Sequence, residues 1–427
     1  MNNTLYPLFN SLFIAGQRTI NSVLQFVFFL LLIHTLTPEG MGIFELGRAC
    51  LELGTGMAAP ALGLIVVREN SRYRDWWRFH KSQIYTILLI GSYATGLLFF
   101  LLISLHSLDW MKSLVVGVFC LTIFFQGACT TYESLFLSLN QVSWFSRVNV
   151  LCNGVSTLAL ALIIWIMPDP LLLATLLLFI RWLANYLIYA SRARELYRSE
   201  ETESLLQSPL SIRGLLWQTW PLAVGSMLFI LYARMDTIML DMFDQEESVA
   251  IYSGAYRIIG LISMVFLSIY QAFSPTISRK IAKSYRQAWS FVLWLGVFVG
   301  AIGLVLALIL QVTGGLLVEF LYPANYQFTQ TALQLLSWTL PIIFLGNAFG
   351  YFLVNEETRG IYFYVGINLF GVLLNGVGNY LLIPIYSYTG AAWMTVVTDA
   401  FTTLLMVVAA GMISFYWSDR PEIVEQR

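Results

Sequence analysis

The chain has 427 residues, of which 58% are hydrophobic and 11% charged, with a formal net charge of −1 and a mean hydropathy of +0.73. Soluble chains average about 25% charged and about 45–50% apolar residues, so this composition excludes an ordinary soluble domain and indicates a polytopic membrane protein. The balanced charge carries no sign of a nucleic-acid partner, and the informative feature is where the charges fall.

A spanning helix needs about 20 mostly apolar residues. Twelve stretches qualify: 9–36, 42–67, 82–105, 113–138, 148–167, 171–190, 216–242, 249–276, 288–312, 331–354, 362–386 and 390–416. The expected fold class is therefore all-α, a multi-pass bundle of about twelve helices. The first stretch is interrupted by Gln17 and Arg18 and runs on to Leu36. That is too long for the apolar core of a signal peptide, so a retained first helix is expected. Cys50, Cys120, Cys129 and Cys152 lie in apolar stretches without a C-x-x-C pair, as small buried residues do. His34, His80 and His106 are far apart and show no metal-ligand spacing.

Of the 23 Lys and Arg residues, 17 fall in one alternate set of loops and the C-terminal tail; the opposite loops hold only Lys112, and five lie inside helices. This bias predicts that both termini are cytoplasmic. The longest polar segment, 191–215, "SRARELYRSEETESLLQSPLSIRGL", reads as a cytoplasmic linker. It separates an N-terminal lobe, 1–190 (helices one to six), from a C-terminal lobe with a short tail, 216–427 (helices seven to twelve). On the opposite side the longest loop, 313–330, leaves no room for a catalytic domain. No enzymatic activity is expected. A faint repeat supports two lobes: Arg18 then Arg48 in the first helix pair, Arg234 then Arg257 in the seventh and eighth, each followed by a proline (Pro60 or Pro275) and a basic cluster.

The intramembrane bases are Arg18, Arg48, Arg181, Arg234 and Arg257, and the acids at membrane depth are Glu45, Glu52, Glu133, Asp236 and Asp399. A charge at the bilayer centre costs at least about 2.5–3.5 kcal/mol, so each must face a partner or a cavity. Five against five makes ion pairing a serious account. Arg48 suits it best, with Glu45 three residues before and Glu52 four after on one helix face. Arg234, Asp236 and Arg257 lie within about one turn of the same depth around the loop 243–249. One acid between two arginines leaves one guanidinium for an anion. Arginine stays charged and offers paired donors to phosphate or carboxylate. A proton- or sodium-coupling role would fall to the five acids; no other cofactor is expected. On helix eleven, Asn368, Asn375 and Asn379 share a face, which suits either helix packing or a polar cavity wall. Gln126, Thr130 and Glu133 give a weaker face of the same kind on helix four.

The segments "LTPEGMGIF" (36–44), "RMDTIMLDMFDQEESVAIYSGAYRIIGLISMVFLSIYQAFSPTISR" (234–279) and "NYLLIPIYSYTGAAWMTVVTD" (379–399) resemble the polysaccharide transporter family of the multidrug/oligosaccharidyl-lipid/polysaccharide (MOP) exporter superfamily. The resemblance implies two six-helix lobes around a cationic central cavity, and alternating access. It implies flipping of undecaprenyl-diphosphate-linked oligosaccharide units, such as O-antigen units, across the bacterial inner membrane. The implied partners are the lipid-linked oligosaccharide, the bilayer, and the polysaccharide polymerase and chain-length machinery. Two other readings stay open: a cation-coupled drug exporter of the same superfamily, which would need an acid-rich site, and a peptidoglycan-precursor flippase, which usually has two more helices. A polymerase- or ligase-type membrane enzyme would need a large external loop.

Overall fold

Apolar stretches of this length fold as helices because lipid cannot hydrogen-bond a bare backbone, and a helix satisfies its own N–H and C=O groups. A computed structural model describes residues 20–58, 60–72, 76–106, 109–167, 169–198, 212–243, 246–356 and 359–417. All its regular elements are helical. In chain order they are α1 Ile20–Ile33, α2 Pro38–Ala58, α3 Pro60–Arg72, α4 Trp76–His106, α5 Trp110–Ser138, α6 Val142–Ile166, α7 Leu171–Arg198, α8 Ile212–Met242, α9 Glu246–Lys283, α10 Tyr285–Leu321, α11 Thr329–Ser337, α12 Thr339–Asn355 and α13 Gly360–Met412. Among the described residues seven helices are long and apolar enough to cross a membrane, or eight if the pair α11–α12, bent by 40°, forms one span.

Helix ends follow local chemistry. Asp109 caps α5 by accepting from the backbone N–H of Met111 at 2.9 Å and of Lys112 at 3.3 Å. The same helix stops at Asn140, whose φ of 57° is left-handed. Gln141 then donates to the Phe136 carbonyl at 2.8 Å and Asn140 to that of Leu137 at 3.2 Å, a Schellman closure. The 53 residues of α13 are far longer than one membrane crossing. They divide at Ser387 (φ 53°, ψ −137°), just after Pro384. The segment expected as a loop over 313–330 is mostly helix: α10 continues to Leu321, and a short 3-10 turn, Ala324–Tyr326, follows Pro323. Thr313–Gly315 did not end the helix because the first proline comes only at position 323.

The chain forms two compact units, Met1–Ala250 and Ile251–Arg427. In the first, α5 packs against α2, α3, α4 and α7, and α8 packs on α2 and α3. Its core joins Trp76, Trp77, Tyr132, Phe136, Phe145 and Tyr189, all buried. In the second, α12 packs between α10 and α13. Gly303 permits that approach: a Cβ there would lie 2.9 Å from the Leu340 carbonyl oxygen. The Gln311 side chain donates to the Gln334 carbonyl at 2.7 Å, and Gln334 returns a bond to the Gln311 carbonyl at 3.1 Å. The four cysteines are free thiols, three of them buried.

Candidate functional site

In the first unit, α2 presents Glu45, Arg48 and Glu52 on one face, and α8 brings Arg234 onto the same group. Arg48 Nη2 lies 3.0 Å from Glu45 Oε2, and its Nη1 lies 3.3 Å from Glu52 Oε1. Arg234 Nε donates to Glu52 Oε2 at 2.6 Å, and its Nη2 joins the same oxygen. Glu52 is thus shared by two guanidiniums from two helices. The spacing within α2 anticipates the first two contacts; the contact from 182 residues away does not show in any local pattern. The expectation of one acid, Asp236, between Arg234 and Arg257 therefore left out a second carboxylate, Glu52, which holds Arg234. Side-chain exposure grades along the chain: Glu45 1%, Arg48 18%, Glu52 30%, Arg234 18%. The shared end is the accessible end.

Arg181 on α7 has a different environment. Its Nη1 donates to Asn153 Oδ1, and the guanidinium carbon lies 4.8 Å from the Trp182 ring centroid. Its Nε is buried without a hydrogen-bond partner. Asn153 also donates to Asn21 of α1 at 2.7 Å and to Asn149 at 3.1 Å. Asn149 donates to Glu133 at 3.1 Å, and the Tyr189 hydroxyl donates to Glu133 at 3.4 Å. An amide network therefore joins α1, α5, α6 and α7 and holds Glu133. Gln126, on the same helix as Glu133, has a buried Oε1 without a partner.

Sequence reasoning missed Lys112. Counted there as a loop base, it sits in the first turn of α5 and is wholly buried. Its Nζ lies 2.7 Å from Asp241 Oδ1 and 2.9 Å from Glu246 Oε1, at the end of α8 and the start of α9. Gly42 adjoins the same place: a Cβ there would collide with the Glu246 backbone carbonyl. Asp241 just before the 243–249 loop and Glu246 within it were the available signal, since a buried carboxylate demands a cation.

Asp236 is buried in the first unit. In the second unit, Arg257 is half-buried and Asp399 is buried. Asn368, Asn375 and Asn379 are all buried. Asn379 donates to Asn375 at 2.9 Å, and Asn368 donates to the Tyr364 carbonyl at 2.7 Å. The Nδ2 of Asn375 is buried without a hydrogen-bond partner. The Tyr252 and Thr395 hydroxyls, 3.0 Å apart, tie α9 to α13. Arg18 lies outside the described residues.

Long apolar helices with ionic and amide networks held among them define a multi-pass membrane protein with a polar site inside it. The comparisons agree. Residues 8–281 match the family described as "Polysaccharide biosynthesis protein", and residues 221–381 match the MatE family. The first match covers more than half of the chain, which belongs to that family. No curated protein matches it. Among solved structures, it is similar to a MOP-superfamily transporter from Pyrococcus furiosus described as having a binding pocket of reverse polarity. The identity is 14%, over 94% of this chain and 95% of that one, with a TM-score of 0.67. It is similar to the lipid II flippase MurJ in an inward closed conformation, at 13% identity over 95% of this chain and 87% of that one, TM-score 0.64. It is also similar to an inward-facing multidrug resistance MATE transporter, at 14% identity over 92% and 94%, TM-score 0.64. At such identities the likeness establishes the fold, that of a MOP-superfamily transporter or flippase, and leaves substrate to the site.

Proposed function

We propose that the protein is an alternating-access flippase that carries undecaprenyl-diphosphate-linked oligosaccharide units across the bacterial inner membrane for surface polysaccharide synthesis. The carrying observation is the sharing of Glu52 by Arg48 and Arg234 at the accessible end of the α2 charge chain. A diphosphate offers the same guanidiniums more acceptor oxygens than one carboxylate, in the geometry their forks favour. Exchange of Glu52 for diphosphate swaps one set of charge-assisted bonds for another. Binding and release therefore both stay within reach. Arg181 supplies a third guanidinium, already oriented by Asn153 and Trp182.

On this reading the residues 1–190 and 216–427 are the moving lobes, 191–215 is their cytoplasmic linker, and about twelve helices cross the membrane. The Lys112–Asp241–Glu246 group then belongs to the external end and is one of the contacts that alternating access must break. Arg257 and Arg18 are proposed as further cations of the pathway. Asp236, Glu133 and Asp399 are the groups available for ion coupling, and Asn368, Asn375 and Asn379 for sugar hydroxyls. Polymerase and chain-length proteins are the proposed recipients of the product.

The MatE match over 221–381 favours one second reading, a cation-coupled exporter. Reconstitution in liposomes with a fluorescent lipid-diphosphate sugar separates the two. Loss of externally quenchable label in one leaflet is expected to accelerate with the wild type and not with Arg48→Gln/Arg234→Gln. No acceleration by folded wild type, together with proton- or sodium-driven export of organic cations, would overturn the flippase reading.

A further inference from the structure

The first unit holds a basic cavity that the proposed transport site does not use. Its volume is about 790 Å³, inside the range of about 300–1,000 Å³ typical of small-ligand sites. Arg78 and Lys81 of α4 and Arg194 of α7 lie around it, and its wall includes Trp77, Tyr85 and Tyr132. Among the described residues, no carboxylate lines it. The Tyr85 and Tyr132 hydroxyls bond each other, and the Trp77 ring stands 5.5 Å from that of Tyr132, which is buried. The aromatic floor is fixed by packing, and the three cations are exposed at its rim.

From this rim an apolar ridge leads away along α4. Lys81, Tyr85, Leu89, Tyr93 and Leu97 follow one another at four-residue steps, the spacing of a surface ridge. Leu89, Tyr93 and Leu97 are 47%, 49% and 59% exposed. At about 1.5 Å per residue, Lys81 to Leu97 spans about 24 Å, enough to follow one leaflet from headgroup level through about 15 Å of hydrocarbon. A cationic cup at one end and an outward apolar track at the other match an amphiphile with a phosphate head. The cup lies with the Lys/Arg-rich ends, where anionic lipids are attracted.

We propose that this cavity is a binding site for an anionic glycerophospholipid, its phosphate held by Arg78, Lys81 and Arg194 and one acyl chain lying along the α4 ridge. The assignment does not depend on which substrate is carried. Native mass spectrometry of the full chain in detergent tests it, with phosphatidylglycerol and phosphatidylcholine of equal chain length titrated in parallel. Each basic residue near a headgroup contributes enough that losing all three lowers phosphatidylglycerol retention on the order of 100-fold. The Arg78→Gln/Lys81→Gln/Arg194→Gln variant should bind the two lipids alike, with phosphatidylcholine binding unchanged. If that variant does not fold, Lys81→Glu alone should lower phosphatidylglycerol retention about 10-fold. Equal retention of both lipids by the wild type would overturn the proposal. So would displacement of phosphatidylglycerol by undecaprenyl diphosphate at a tenth of its concentration, which would reassign the cavity to the substrate's own phosphate. Displacement by inorganic phosphate alone, without chain-length dependence, would also overturn it.

Discussion

Replacing Glu52 by glutamine keeps the shape of the α2 charge chain and removes the carboxylate that Arg48 and Arg234 share. Truncating one partner of a fully buried pair costs about 3–5 kcal/mol, because the other charge stays buried and uncompensated. Glu52 is 30% exposed and each arginine 18%, so water offsets part of that loss, and the expected cost is about 2 kcal/mol. For a unit of about 250 residues this is a fall of roughly 4–8 °C in apparent Tm. Fluorescence-detected size exclusion after stepwise heating in detergent reads it directly. Adding Arg234→Gln removes one of the two charges that Glu52 compensated, so the double variant should recover most of the loss, with a coupling energy of at least about 1 kcal/mol. The recovered variant then separates stability from transport. It is folded, it lacks a guanidinium, and its flipping rate should fall at least about 10-fold if a diphosphate uses Arg234. A Glu52→Gln variant that melts within about 1 °C of wild type, or additive losses in the double, would refute the shared pair. A stable double variant flipping at the wild-type rate would refute the anion site.

Lys112→Met takes this cation from buried Asp241 and from partly exposed Glu246 and should lower thermal stability by about 3 kcal/mol, whereas Lys112→Met/Asp241→Asn/Glu246→Gln should restore most of it; a single variant as stable as wild type would sink the assignment. Gly42→Ala sets a methyl against the Glu246 carbonyl and should reduce stability by about 1–3 kcal/mol, read in the same melting assay. Arg181→Lys keeps the charge but loses the planar stack on Trp182 and the oriented fork, so flipping should fall nearly as far as with Arg181→Gln; full activity of the lysine variant would show that charge alone suffices. Ser387→Gly should raise stability by about 1 kcal/mol by relieving a positive φ, while Ser387→Val should lower it.

The sequence by itself determined the class of fold, because a helix is the one open-ended structure that hides its backbone in lipid, and apolar length is written in the order of residues. It also determined the Glu45–Arg48–Glu52 contacts, since three- and four-residue spacings meet on any helix. The family match was legible in the run from Arg234 to Arg279, within the first of the two matched regions. Tertiary structure alone decided which charges meet across helices. Glu52 and Arg234 are brought together by packing of α8 on α2, and Lys112 meets its acids where α5 reaches the end of α8 and the start of α9. Depth along the membrane can be counted from sequence, but the rotation of each helix about its own axis is set by how its neighbours pack. That rotation turned Lys112, a residue counted in a loop, into a buried cation, and divided the hold on Glu52 between two arginines.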